Sequence, residues 1–274
     1  MPEGDTIYRA ARTLNKAIGG KVVRGFRSAL PELERAALEG RTVESVRARG
    51  KNLLVDFDDG QRLHTHMMME GSWHVYRVGE PWQRRESRAF AVIETEDWVA
   101  VCFDAPICKL LAPGERSPQL DALGPDLLDP DADLDEALRR LRQFETLPLG
   151  EAVMRQHLVA GIGNVYKSEV LFLERLDPFA PVSSVTDEAL RAALKLARKL
   201  MKQNVGHARM RTTRRRFGSS RLWVYGRKNE PCFECGSRVD MRRQGEQGRS
   251  TYFCPRCQRS EDGDEGFRPT GSMT

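Results

Sequence analysis

The spacing of apolar residues changes period twice along the chain. Ile7, Ala10, Ala11, Leu14, Ala17 and Ile18 recur at helical intervals and Gly19-Gly20 stops the run, which predicts a helix starting almost at residue 3. From Lys21 to about Pro113 the pattern becomes short β-rich runs, such as Leu53-Leu54-Val55-Asp56-Phe57, Ala91-Val92-Ile93 and Trp98-Val99-Ala100-Val101-Cys102-Phe103. Turn clusters such as Asp58-Asp59-Gly60 separate them, and this rhythm predicts an antiparallel β-sandwich. Helical spacing then returns over Leu134 to Leu141, Leu149 to Leu158 and Val165 to Leu173. A longer helix carries Leu190, Ala193, Leu194, Ala197, Leu200 and Met201 on one face, with Thr186 as its cap and Asp187 and Glu188 in its first turn. The predicted class is α+β: an N-terminal helix and β-sandwich, then a helical domain.

Asp121 to Glu136 holds seven acidic residues, no basic one, and Pro125 and Pro130, which reads as a linker. The expected units are therefore 1–120, a linker at 121–136, a helical domain at 137–222, a cysteine-bearing unit at 223–260 and a frayed tail at 261–274. No membrane-length apolar run or signal-like N-terminus is seen, so a soluble cytoplasmic protein is expected. In such a compartment six cysteines are not expected to form a disulfide framework. The net charge of +5 hides a segregation: Lys202 to Gln258 carries fourteen basic residues against four acidic ones. That stripe, with Arg209, Arg211, Arg214, Arg215 and Arg216, is the footprint of a surface that binds nucleic acid.

Four segments carry candidate chemistry. Cys232-x2-Cys235 and Cys254-x2-Cys257, eighteen residues apart, have the spacing of a closed four-thiolate zinc site around a β-hairpin, one structural ion with no open position. Cys102 and Cys108 read as ordinary buried thiols. Gly161-Ile162-Gly163-Asn164 sits between two helical runs, where free amides would suit a phosphate or Asn164 would serve as a plain cap. Lys51 at a turn before a strand is either a phosphate holder or a solvated lysine, and of Met67, Met68 and Met69 at least one must face outward. Removal of Met1 would expose the secondary amine of Pro2 beside the carboxylate of Glu3, a possible nucleophile with an acid/base neighbour.

Pro2-Glu3-Gly4-Asp5, Gly161-Ile162-Gly163-Asn164-Val165-Tyr166 and the four-cysteine hairpin occur in an order that resembles the formamidopyrimidine-DNA glycosylase/endonuclease VIII family, over about residues 2 to 258. The resemblance implies a helix-two-turns-helix motif, a zinc-finger hairpin, and a bifunctional glycosylase/AP lyase of base-excision repair acting on damaged DNA as a monomer, associated with DNA in the cytoplasm. It implies that Pro2 attacks C1′ of a flipped nucleotide to form a Schiff base, with β,δ-elimination, and that Glu3 is the acid/base. It further implies that Lys51, Asn164 and Arg249 contact phosphates near the lesion, that Met69 fills the vacated stack, and that His66 is a weaker phosphate contact.

Members that excise oxidised purines carry a second void-filling arginine and phenylalanine, which Asp104-Ala105-Pro106-Ile107-Cys108 lacks, and the segment between Met210 and Pro231 is short for a lesion-capping loop. Both features, with the opening Pro2-Glu3-Gly4-Asp5-Thr6, favour the endonuclease VIII-like branch and oxidised pyrimidines. They also leave the opposite strand to be filled by Met68 or Glu70 beside Met69. The rival readings are an oxidised-purine glycosylase of the same family and a zinc-finger protein that binds DNA without chemistry.

Overall fold

The structure, a computed structural model, describes residues 2–207, 210–213 and 220–258. Met1, Arg209, Arg214, Arg215, Arg216, part of the Met210 to Pro231 segment and the tail at 261–274 lie outside the described residues.

Helix α1 (Gly4–Ile18) buries Ile7, Ala11, Leu14, Ala17 and Ile18, the face its periodicity predicts. After it come β1 (Gly25–Arg27), α2 (Pro31–Glu34), β2 (Val43–Arg49), β3 (Asn52–Phe57), β4 (Arg62–His66), β5 (Ser72–Arg77), β6 (Ala89–Glu94), β7 (Trp98–Phe103) and β8 (Ile107–Leu111). They form two four-stranded antiparallel sheets, ordered β2-β3-β4-β8 and β1-β6-β7-β5. Alternation sorts the side chains of β7: Ala100 and Cys102 join α1 and the other sheet in the main core, while Val99, Val101 and Phe103 face a separate cluster with Tyr76 and Trp82. Cys102 and Cys108 are buried, unpaired thiols.

The acidic stretch packs against both halves of the chain. It begins at the end of α3 (Pro118–Asp121); Leu127 and Leu128 enter the helical core, and Asp126 accepts the Gly50 N–H at 2.6 Å and the Leu128 N–H at 3.0 Å. Helix α4 (Leu134–Arg142) is capped by Asp133, which accepts from the amides of Asp135 and Glu136. The run expected to be helical from Leu149 to Leu158 is helical only as α5 (Leu149–Ala152). Gln156 explains the early stop: its side chain donates to the carbonyls of Met154 and Ile162 and accepts the Gly161 N–H, folding the chain back in turns. Helix α6 (Asn164–Leu173) follows, and α7 (Asp187–Asn204) starts at Thr186, whose hydroxyl accepts from Ala189 N. The C-terminal hairpin pairs β9 (Asp240–Gln244) with β10 (Arg249–Phe253), and its core of Val224, Val239, Cys232 and Cys254 rests on Phe172 of α6. No helix among the described residues is long and apolar enough to cross a membrane.

Candidate active site and nucleic-acid interface

The N-terminus is locked between the two halves of the chain. Glu3 starts α1 through its backbone carbonyl, which accepts from Thr6 N and Ile7 N, while its side chain reaches another helix. Its carboxylate accepts the amides of Gly163, Val165 and Tyr166 at 3.0, 2.7 and 3.2 Å. These are orphan donors at the start of α6, so the anion the glycine turn attracts is this carboxylate. Asn164 is the first residue of α6; the cap position belongs to Gly163, so the plain-cap reading of Asn164 does not hold. Gly4 N donates to Gly161 O at 3.0 Å, and a Cβ on Gly4 would lie 2.6 Å from the Met201 methyl. Gly161 has φ +105, a conformation that glycine adopts without the strain a side chain would bring. These pins fix Pro2, which is partly exposed.

Lys51 reaches the same place from the β2–β3 turn, where Gly50 at φ +60 brings the backbone close to Ala160. Burial pushes its ammonium down to about 8, opposed by the Glu3 carboxylate and reinforced by Arg249. Burial raises the Glu3 carboxyl, opposed by Lys51 and by the amides of Val165 and Tyr166. A carboxyl and an amine moved toward neutrality from opposite sides, next to an N-terminal residue, is an arrangement suited to proton transfer.

Arg249 is delivered by the cysteine hairpin, which is bolted to α6. Asn164 Nδ2 donates to Ser250 Oγ at 3.1 Å, Lys167 Nζ to Thr251 Oγ1 at 2.7 Å, and Tyr252 N to Ser168 Oγ at 3.3 Å. Arg249 itself donates through Nε and Nη2 to Gln247 Oε1. The buried Asn164 Oδ1 has no hydrogen-bond partner.

His66 ends β4, and its Nδ1 accepts the Met68 N–H at 3.2 Å, which leaves the proton of the neutral ring on Nε2. Burial lowers its pKa, with Lys51 adding to the effect. Met67 is buried, whereas Met68 and Met69 are 47% and 62% exposed. The expectation of an outward methionine is met twice.

Cys232, Cys235, Cys254 and Cys257 converge, with all four sulfurs within 4.8 Å of one another. Cys232 and Cys257 are separated by 3.9 Å and Cys235 and Cys254 by 3.4 Å. A tetrahedral zinc ion with sulfurs at about 2.3 Å spaces them by about 3.8 Å, so the quartet fits one such ion.

The sequence reading missed Lys167 and Glu169. Glu169 is fully buried and accepts from Trp223 N, Val224 N and Tyr225 N at 2.7, 2.9 and 2.8 Å and from the Thr212 hydroxyl. Lys167 is 1% exposed, and burial brings its ammonium to about 8. The signal was present: two charges lie in a helix whose apolar residues, Val165, Tyr166, Val170, Leu171 and Phe172, fall on every side of it.

A β-sandwich, an N-terminal segment clamped onto a glycine turn and a cysteine hairpin that carries arginine thus meet at one place in the fold. Two family domains match: the formamidopyrimidine-DNA glycosylase N-terminal domain over residues 1–106 and the formamidopyrimidine-DNA glycosylase H2TH domain over residues 123–215. The chain belongs to the formamidopyrimidine-DNA glycosylase/endonuclease VIII family. It is 40% identical to a probable endonuclease 8 2 of Streptomyces coelicolor, covering 98% of this chain and 99% of that one. It is 36% identical to the DNA-(apurinic or apyrimidinic site) lyase Nei2 of Mycolicibacterium smegmatis, over 94% and 99%. Among solved structures, a Lactococcus lactis Fpg mutant bound to DNA containing Fapy-dG aligns with a TM-score of 0.78 at 25% identity, covering 94% and 99%. Membership makes the chain an enzyme of base-excision repair, a DNA N-glycosylase and AP lyase.

Proposed function

We propose that the chain removes oxidised pyrimidines from DNA and cleaves the resulting abasic site through an N-terminal proline Schiff base. The observation that carries this reading is the Glu3 clamp, which holds Pro2 at the meeting point of Lys51, α6 and the Arg249 hairpin. With Met1 removed, the neutral Pro2 nitrogen bonds to C1′ as the C1′–base bond breaks, and the proton the Pro2 nitrogen then sheds goes to the departing base. Glu3 protonates O4′ as the sugar opens to the iminium. Loss of a C2′ proton expels the 3′ phosphate and a second elimination expels the 5′ phosphate. Generic α-amines have a pKa of roughly 7.7 to 8.0, and the positive charge of Lys51 and Arg249 favours the neutral nucleophile.

Phosphates flanking the lesion fall to Lys51, Asn164, Arg249 and, through Nε2–H, His66, and Met69 enters the gap left by the flipped nucleotide. The cysteine quartet would hold a structural zinc ion, which fixes the hairpin and leaves no position for substrate. A monomer acting on duplex DNA, associated with the nucleoid, completes the reading. The pyrimidine preference rests on the three-residue connection between β7 and β8, Asp104 to Pro106, which carries neither void-filling residue. The relatives' naming as endonuclease 8 agrees with that branch.

Borohydride reduction in the presence of abasic-site DNA tests the chemistry. A covalent adduct is expected from the native protein, and none from Pro2→Gly or from protein with an added N-terminal tag; no adduct from native protein lacking Met1 overturns the enzyme reading. Cleavage of duplexes holding thymine glycol, dihydrouracil or 8-oxoguanine, at one salt concentration, tests the substrate. Preference for 8-oxoguanine would replace the pyrimidine assignment.

A further inference from the structure

Residues 67–71, between β4 and β5, form a tight loop that presents Met68 and Met69 to solvent and is tied down at every other position. Met67 is buried, Met68 has φ +46 with its N–H on His66, and Gly71 N donates to Met67 O at 2.8 Å. A Cβ on Gly71 would lie 2.9 Å from Ala105 Cα, so the loop is pressed against the β7–β8 connection. The remaining tie comes from elsewhere. Arg84, in the segment between β5 and β6, donates through Nη1 to Glu70 O at 3.4 Å and to Asp104 Oδ2 at 3.0 Å. Arg88 Nε binds the other oxygen of Asp104 at 2.7 Å, and the Arg84 guanidinium lies 5.9 Å from the Phe103 ring centre. Asp104 stands at φ +51, and its N–H donates to Arg88 O at 3.1 Å.

We infer that Arg84, braced by Asp104 and Arg88, is a positioning residue that sets the methionine loop for insertion into the base stack. An apolar wedge repays the cost of unstacking only if it enters the gap already formed, because a mobile loop would lose ordering entropy at that step. One guanidinium that joins the loop's main chain to a half-buried carboxylate on the neighbouring connection supplies that rigidity. The inference rests on the proposed action at a flipped nucleotide.

The test compares Arg84→Met, which keeps an apolar stem over Phe103, with Arg84→Lys and the native protein. Each is assayed on an abasic site in a duplex and in a single strand, where no stack needs to be filled. A duplex with 2-aminopurine opposite a tetrahydrofuran site reports unstacking by its fluorescence rise. Arg84→Met is expected to lower single-turnover duplex cleavage by about tenfold and to reduce the fluorescence rise, with single-strand cleavage retained and Arg84→Lys partly restoring both. Equal losses on both substrates, or no loss on the duplex, overturn the brace while leaving the active site intact. A native protein inert on both substrates removes the functional reading and the brace with it.

Discussion

Gly163 and Glu3 stand 160 residues apart in sequence, yet a Cβ placed on Gly163 would lie 2.4 Å from Glu3 Cδ. Gly163 has φ −122, which any residue adopts, so the glycine is required by space alone. Gly163→Ala therefore tests the clamp without straining the backbone. The methyl must push the carboxylate off the α6 amides, and Pro2 moves with it. Schiff-base trapping is expected to fall by about a hundredfold, the scale of a 1 Å misplacement. Binding to duplex DNA measured by fluorescence anisotropy should change far less, because Lys51, Arg249 and the hairpin remain. Trapping at the native rate in this variant would show that the Glu3 seat does not position the nucleophile.

Lys51 sets a pH dependence whose sign is fixed. Its pKa lies at about 8 in the folded protein against the usual 10.5. Between those values the folded chain holds fewer protons than the unfolded one, so this group's contribution to stability rises with pH through that window and is a standing cost below about pH 8. A phosphate beside the amine favours its charged form, so DNA binding above about pH 8 takes up a proton. Affinity for a tetrahydrofuran duplex should then fall by up to about tenfold per pH unit above that point. Lys167 titrates in the same range but is committed to Thr251, so Lys51→Ala isolates the effect. A titration by isothermal calorimetry at pH 7, 8 and 9 should show the slope in the native protein and a flatter one in Lys51→Ala.

Much of this architecture is legible in the sequence because its signals are local. The apolar face of α1, the unbroken apolar run of β7 and the cysteine spacing each encode their element in a few neighbouring residues. What the sequence does not display is pairing across long separations. Glu3 stands at the start of α1 in sequence, while its carboxylate accepts amides at the start of α6, 160 residues away. The helical pattern after Leu149 continues past the true end at Ala152, because the Gln156 side chain takes over backbone partners that only the folded turn brings near. Arg84 is one of many surface arginines until the folded loops place it against Glu70 and Asp104.

If the cysteine quartet holds zinc as proposed, removing the ion should act on DNA binding through the hairpin. Cys254 is fully buried at the end of β10, the strand that begins with Arg249 and docks on α6 through Ser250 and Thr251. Without the ion, four thiols in a small core would leave that strand without its staple. Cys254→Ser, or prolonged chelation of the native protein, should remove the metal seen by mass spectrometry, weaken duplex binding by at least about tenfold and lower the melting temperature. A serine variant that keeps its zinc and full affinity would contradict the structural assignment.

Glu169 makes the strongest stability prediction, since its carboxylate accepts three consecutive amides, Trp223 to Tyr225, at the entrance to the cysteine unit. Replacement by alanine removes this shared acceptor, at about 1–3 kcal/mol for each buried donor left unsatisfied. A total of at least about 3 kcal/mol corresponds to a fall in melting temperature on the order of 6–12 °C for a chain of this size. Glutamine is the sharper probe. It keeps the shape, but its NH2 group must face donors, so one arm of the cradle becomes repulsive where the carboxylate offered acceptors on both sides. Glu169→Gln should therefore melt well below the native protein despite its near-identical volume, and differential scanning calorimetry reads the difference directly. If glutamine were tolerated without loss, the cradle would depend on packing rather than on the charge of Glu169. The Thr212 hydroxyl, which also donates to this carboxylate, adds a second check: Thr212→Val should cost far less than Glu169→Gln, because it removes one donor and leaves the three amides satisfied.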